Sequence, residues 1–157
     1  MIEYLVMDVD GTLTDGKIYM GTNGEVMKAF SIKDGCGIHD ILMPAGIKPI
    51  IITGRKSRIV EIRCAELGIT KCYQGVKDKL DQLKKISSNF KNIAYIGDDI
   101  NDLIVMNAVK NAGGRIGCPS DATEEVRQIA DFISTRCGGD GAVREFIEWL
   151  IKIESSL

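Results

Sequence analysis

Histidine is nearly missing from the sequence: His39 is the only one in 157 residues. A histidine metal centre or a Ser-His-Asp triad is therefore a poor fit, and any catalysis must run on carboxylates, hydroxyls and lysines. A surplus of charge is missing too, since 20 basic residues face 22 acidic ones for a net charge of −2. That balance leaves no electrostatic footprint for nucleic acid or an anionic membrane. No apolar run reaches the roughly 18 residues of a membrane span. The start, Met1-Ile2-Glu3-Tyr4, lacks the charged and apolar regions of a signal peptide. The five cysteines (Cys36, Cys64, Cys72, Cys118 and Cys137) are odd in number and form no C-x-x-C pair. They predict reduced thiols in a cytoplasmic protein, not a disulfide framework. Linkers, low-complexity tracts and internal repeats are absent as well, so residues 1–157 read as one domain large enough to bury a core.

What is present begins at once. Residues 4–7, Tyr-Leu-Val-Met, form a short apolar run of strand-forming residues that ends in Asp8, Asp10 and Gly11. An isolated D-x-D is ordinarily a solvated turn. Acids delivered at the carboxyl end of a buried strand are instead placed where parallel sheets bind ligands. If the backbone curls there, both acids reach one hard cation, which takes oxygen ligands. Partners further along the chain decide between the two readings.

Residues 17–32 read as a β-hairpin around the Gly21-Thr-Asn-Gly24 turn, set directly after the acidic strand and in need of a partner surface. A helix opened by Asp34 follows and stops at Pro44 and Gly46. Residues 48–52 form a second buried strand, ending in Thr53, Gly54 and Arg55. A helix over 57–67, a strand over 69–73 and a helix over 76–86 containing Lys79 come next. The strand 92–96 again runs into glycine and acids: Gly97, Asp98, Asp99 and then Asp102. A helix through Val109, a strand over 115–118, a helix over 121–130, a strand over 131–134 and a terminal helix through Ile153 complete the alternation. Such alternation predicts an α/β fold, a Rossmann-like parallel sheet with helices on both faces. Right-handed crossovers then bring Asp8, Thr53 and Asp98 to one sheet edge.

Taken singly, Thr53 is turn chemistry and Lys79 is one of several lysines on a solvated helix face. Three acids within residues 98–102 repel unless a cation offsets them, and Asp99 or Asn101 could serve as a helix cap. Together these groups form a phosphoryl-transfer set. Asp8 would attack phosphorus and form an aspartyl-phosphate. Mg²⁺, held by Asp8, the Asp10 carbonyl and Asp98, would offset the repulsion between anionic nucleophile and anionic phosphate. Thr53 and Lys79 would bond the non-bridging oxygens. Asp10 would protonate the leaving group and then activate water.

Asp8-Val-Asp10-Gly11-Thr12, Thr53, Lys79 and Gly97-Asp98-Asp99-Ile-Asn-Asp102 resemble, in order and spacing, the four motifs of the haloacid dehalogenase superfamily of phosphatases. The closer resemblance is to its branch without a cap domain, the 3-deoxy-D-manno-octulosonate 8-phosphate phosphatases. It is carried by Thr14-Asp15-Gly16, Lys28-Ala-Phe30, Asp34-Gly35, Ile52-Thr-Gly-Arg-Lys56, Arg63-Cys64, Gln74-Gly75, Asp78-Lys79-Leu80, Ala94-Tyr-Ile96, Gly138-Gly139 and Gly141-Ala-Val-Arg-Glu145. The resemblance implies a homotetramer built on the hairpin, a neighbouring subunit over the open site, and a sugar-acid phosphate as substrate. It implies substrate contacts at Gly54, Arg55, Arg63 and Asp34, support from Asp99 and Asp102, and a glycine-rich tail over 138–141 that closes over substrate. Thr12 stands where that branch carries valine, and Asp140 where it often carries a base. Arg55 favours the eight-carbon acid over nonulosonate 9-phosphates, in whose phosphatases an acid is usual at that position.

Three rival readings remain. A response-regulator receiver domain shares the Asp, Thr and Lys set but closes a later strand with its phosphoacceptor, where this chain has Thr53-Gly54. A non-catalytic oligomerisation domain, like those related to acylneuraminate cytidylyltransferases, has no need of five converging polar groups. A phosphotransferase would need a cap to exclude water.

Overall fold

The computed structural model describes residues 1–156. The strands are β1 (Tyr4–Met7), β2 (Tyr19–Gly21), β3 (Gly24–Met27), β4 (Lys48–Ile52), β5 (Lys71–Tyr73), β6 (Ile93–Ile96), β7 (Arg115–Cys118) and β8 (Phe132–Ile133). The helices are α1 (Ile32–Cys36), which runs on as a π-helical turn over Gly37–Leu42, then α2 (Arg58–Leu67), α3 (Lys79–Ile86), α4 (Ile100–Asn111), α5 (Glu124–Ile129) and α6 (Ala142–Glu154).

Six strands form one parallel sheet in the order β5-β4-β1-β6-β7-β8, and β2 pairs antiparallel with β3 as the separate hairpin. The Rossmann-like arrangement is thus as the alternation predicts, hairpin included. The chain winds from β1 to β4 and β5 on one side, then returns to β6, β7 and β8 on the other. The reversal leaves a crevice at the carboxyl end of β1, between β4 and β6, where doubly wound sheets bind ligands.

Period-two alternation explains how one short strand serves two cores. Leu5 and Met7 of β1, Ile51 of β4, and Ala94 and Ile96 of β6 pack with Val60, Phe146, Ile147 and Leu150. Val6, Ile50, Ile52, Ile93 and Tyr95 point the other way, onto Leu83, Val105, Met106 and Val126. The sheet is therefore covered by α1, α2 and α6 on one face and by α3, α4 and α5 on the other. Such two-sided burial explains why these strands read as continuous apolar runs.

Three helix starts differ from the sequence reading: α5 begins at Glu124, three residues after the expected start at 121, and the other two are set by their caps. Ser31, not Asp34, caps α1, its Oγ accepting from the amides of Lys33 and Asp34. Asp78 caps α3 through the Asp81 amide, so this helix begins at Lys79, three residues later than expected. The stretch 138–141 is also not a free tail. It packs on the loop after β1, with the Gly139 amide donating to Thr12 O at 3.1 Å, and it leads directly into α6. A Cβ at Gly138 would overlap the Gly11 carbonyl, which is why glycine is needed there.

Candidate active site

Asp8 is the residue at which β1 leaves the sheet, its amide still bonded to Ile96 O at 3.1 Å. The chain then folds back sharply, the amides of Thr12, Leu13 and Thr14 converging on Val9 O. Gly11 makes the turn possible at φ +88°, and any Cβ there would overlap the Asp98 carboxylate. Asp98 arrives from the end of β6, and the buried Thr12 hydroxyl donates to its Oδ1 at 3.0 Å. Thr12 thus anchors one of the strand-end acids.

Lys79 stands behind Asp8. Its Nζ lies 2.9 Å from Asp8 Oδ1 and 2.8 Å from Asp102 Oδ1, with the lysine side chain only 3% exposed. Burial opposes the ammonium, but Asp8 and Asp102 outweigh it and raise the lysine pKa above its ordinary value. Asp102 is fully buried and also accepts from the Tyr95 hydroxyl at 2.7 Å and the Asp98 amide at 3.1 Å. Asp99 caps α4 and, with Asp102, completes a reciprocal capping box. Thr53 is buried at the end of β4, its amide tied to Tyr73 O at 3.0 Å.

An open cleft of about 240 Å³ lies above these groups, bordered by Asp8, Asp10, Thr53, Gly54, Arg55 and Asp98. Burial, then the charges of Asp102 and Asp8, push the Asp8 carboxyl up to about 6 and that of Asp98 up to about 8. Burial and mutual repulsion thus both disfavour the charged forms of the two acids, a state that a cation between them would relieve. Asp8, Asp98 and Asp102 each offer an oxygen within 4.8 Å of the others. Asp102 is not free for an ion, because Lys79, Tyr95 and the Asp98 amide already occupy its oxygens. Asp8 and Asp98 are the carboxylates that can serve a metal, and an oxygen-only pair suits a hard divalent cation.

Asp34 and Arg63 are not brought to this cleft. Asp34 Oδ1 accepts from the Arg144 amide at 2.9 Å, at the start of α6, and burial raises its carboxyl to about 6. Arg63 donates to Ser31 O at 3.4 Å and lies over the Phe30 ring. Both line a separate, largely apolar pocket between α1 and α2. Their side chains fasten the hairpin's exit and α6 to the body, a role that spacing alone does not reveal.

Four participants escaped the sequence reading as functional groups: Thr12, Tyr95, Glu25 and Lys28. Tyr95 reads as core because it alternates within a buried strand. Lys28 projects from the end of the hairpin to the cleft, its Nζ 2.6 Å from Asp10 Oδ1 and 2.9 Å from Glu25 Oε2. Glu25 also accepts from Ser57 Oγ at 2.8 Å and lies 3.5 Å from the Arg55 guanidinium. For the hairpin pair the only signal was Lys28's place in the Lys-Ala-Phe triplet, whereas Thr12 and Tyr95 lie inside the motif stretches without a role of their own.

No protein-family model matches the chain. The 3-deoxy-D-manno-octulosonate 8-phosphate phosphatase of Escherichia coli K12 is 45% identical over 99% of this chain and 82% of its own length. That of Yersinia pestis is 39% identical over 99% of this chain and 83% of its own. Among solved structures, the enzyme of Moraxella catarrhalis, in complex with magnesium, phosphate and its sugar acid, superposes with a TM-score of 0.87. It is 41% identical, covering 96% of this chain and 86% of that one. The cobalt-bound enzyme of Haemophilus influenzae gives 0.88 at 35% identity, covering 98% and 90%. With strand-end acids, lysine and hydroxyl arranged as described, and with such identity along its whole length, the chain belongs to the 3-deoxy-D-manno-octulosonate 8-phosphate phosphatases of the haloacid dehalogenase superfamily.

Proposed function

We propose that the chain is a Mg²⁺-dependent phosphomonoesterase that hydrolyses 3-deoxy-D-manno-octulosonate 8-phosphate through an aspartyl-phosphate. The observation that carries the reading is Asp8. It is a buried carboxylate at the switch point of the sheet, 2.9 Å from a lysine, facing an open cleft shared with Asp98 and Thr53.

One Asp8 oxygen attacks phosphorus while the bond to the sugar's terminal oxygen breaks. Asp10, which enters this step in its protonated form, delivers that proton to the departing alkoxide, and the resulting carboxylate then takes a proton from the water that attacks the phosphorylated Asp8. Lys79 fixes the Asp8 carboxylate, and Asp102, held by Tyr95, fixes Lys79. Thr53 borders the cleft where the phosphoryl oxygens sit, and Gly54 and Arg55 form the rim suited to the substrate's carboxylate. Asp8 and Asp98, with the Asp10 carbonyl, would hold Mg²⁺, which when bound offsets the repulsion between nucleophile and phosphate.

The proton that the raised Asp98 carboxyl holds below about pH 8 must leave before the ion enters. Mg²⁺ affinity should therefore rise about tenfold per pH unit as pH approaches 8 from below, then level off. Calorimetric titration at pH 6.5 and 8 checks this, and equal affinities would refute it.

Phosphate release with Mg²⁺, and with EDTA, tests the activity itself. The expected result is metal-dependent turnover of the eight-carbon acid phosphate well above that of a nonulosonate 9-phosphate or hexose phosphates. Preference for the nine-carbon acid would move the substrate and keep the chemistry. No turnover on any of them would leave the non-catalytic reading.

The same proposal takes residues 1–157 as a single cytoplasmic domain that assembles as a homotetramer through the hairpin. Support comes from the apolar side chains the hairpin exposes: Ile18, Met20, Val26 and Met27 are all more than half exposed. Met20→Asp combined with Val26→Asp should dissociate the assembly, as read by sedimentation. An unchanged sedimentation coefficient would place the interface elsewhere.

A further inference from the structure

We infer that Lys28 is a positioning residue for Asp10, so that the hairpin sets the geometry of acid–base catalysis as well as presenting an assembly surface. The inference rests on the phosphatase reading above. Asp10 lies on the curled loop after β1, and its carboxylate has one hydrogen-bond partner among the described residues, Lys28 at 2.6 Å. Asp8 and Asp98, by contrast, are each held from the body of the domain, by Lys79 and by Thr12.

The lysine is built into place. Its side chain is 2% exposed, and its Nζ bridges two carboxylates, Asp10 at 2.6 Å and Glu25 at 2.9 Å. Glu25 is fixed in turn by Ser57 Oγ and faces Arg55. The network therefore ties the loop after β1, the hairpin and the loop after β4 into one unit around the cleft. A lysine that only stapled the hairpin down would need Glu25 and Ser57 alone. Here its shortest contact is to the one carboxylate assigned to move a proton. Proton transfer needs heavy atoms within about 2.6–3.2 Å, and a displacement of about 1 Å can cost on the order of 10²-fold in rate. Fixing one Asp10 oxygen limits the positions of the other.

Leaving-group dependence separates positioning from stapling. The ratio kcat/KM reports the steps up to release of the alcohol, where an alkoxide needs a proton and the carboxylate of acetyl phosphate does not. With the full chain and Mg²⁺, Lys28→Met should lower kcat/KM for the alkyl sugar-acid phosphate about 100-fold, mostly in kcat. It should lower that for acetyl phosphate less than about threefold, and Lys28→Arg should recover most of the alkyl activity. In an Asp10→Asn background, Lys28→Met should add no further loss. Lys28→Gln, which keeps a donor for Glu25, carries the same test if the methionine variant does not fold. An equal loss on both substrates, or no loss on the alkyl ester, would overturn the inference. If Asp10→Asn itself lost equally on both, the acid–base role of Asp10 would fall, and the inference with it.

Discussion

Lys79→Met should lower folding stability by about 3–5 kcal/mol and abolish turnover. Removing one partner of a buried ion pair leaves uncompensated charge, and the cost is of that order. Here the lysine faces two partners, Asp8 and Asp102, both buried. Methionine keeps most of the volume, so the loss reports charge and not a cavity. In a domain of this size the melting temperature should fall by roughly 10 °C. The sign of the pH dependence follows from the acids. Asp8 and Asp98 already have folded-state values raised to about 6 and about 8. An acid whose folded pKa is raised destabilises progressively as pH climbs from its unfolded value through its folded one. Without Lys79, which holds the Asp8 value down, that value rises further, so the variant should melt far below the wild type at pH 8 and much closer to it at pH 5. Mg²⁺ should restore only part of the difference, because Asp102 lies behind Lys79, away from the cleft. Equal melting temperatures at pH 8 would show that the lysine is not needed to hold the acids.

The asymmetry between the legible and the hidden parts of this site has a physical origin. Asp8, Thr53 and Asp98 could be found because each ends an apolar strand, and a parallel sheet delivers strand ends to one edge whatever its details. The fold was legible for the same reason, through alternation of two periodicities. Helix starts were less so. Ser31 and Asp34 are both good caps, and Asp34 proved to be occupied by the amide of Arg144, 110 residues away. Contacts across such separations leave no periodic trace. The hairpin could be read as an orphan needing a surface, yet which of its residues face the cleft depends on how it folds back. Lys28 meets Asp10 across 18 residues for that reason alone. Thr12 looked like a departure from the family and turned out to be a donor to Asp98.

The same geometry that makes the site active makes it costly to fold. Three carboxylates, Asp8, Asp98 and Asp102, lie together with one ammonium between two of them. Lys79, Tyr95 and the Asp98 amide share the charge of Asp102, and Lys79 that of Asp8, whereas Asp98 has the Thr12 hydroxyl alone and is pushed up further than Asp8. Active sites commonly retain such strain because the chemistry needs it.

Asp8→Asn should therefore separate function from stability in opposite directions. Turnover should fall by about 10⁴-fold or more, since an amide in place of the proposed nucleophile cannot attack phosphorus to form the covalent intermediate. The metal-free variant should melt no lower than the wild type at pH 5 and higher at pH 8. At pH 5 the Asp8 carboxyl, raised to about 6 by burial and by Asp102, is mostly protonated and resembles the amide. At pH 8 it is ionised against its environment, a penalty that asparagine does not carry. Lys79 keeps Asp102 as a partner, so the substitution does not orphan a buried cation. Mg²⁺ should stabilise the variant much less than the wild type, because one of the two carboxylates proposed to hold the ion is gone. Thermal melts at both pH values, with and without Mg²⁺, read out beside phosphate release, check all of this. An Asp8→Asn protein that still turns over substrate would remove the aspartyl-phosphate from the mechanism. One that is inactive but less stable at pH 8 would show instead that the Lys79 contact outweighs the burial of Asp8.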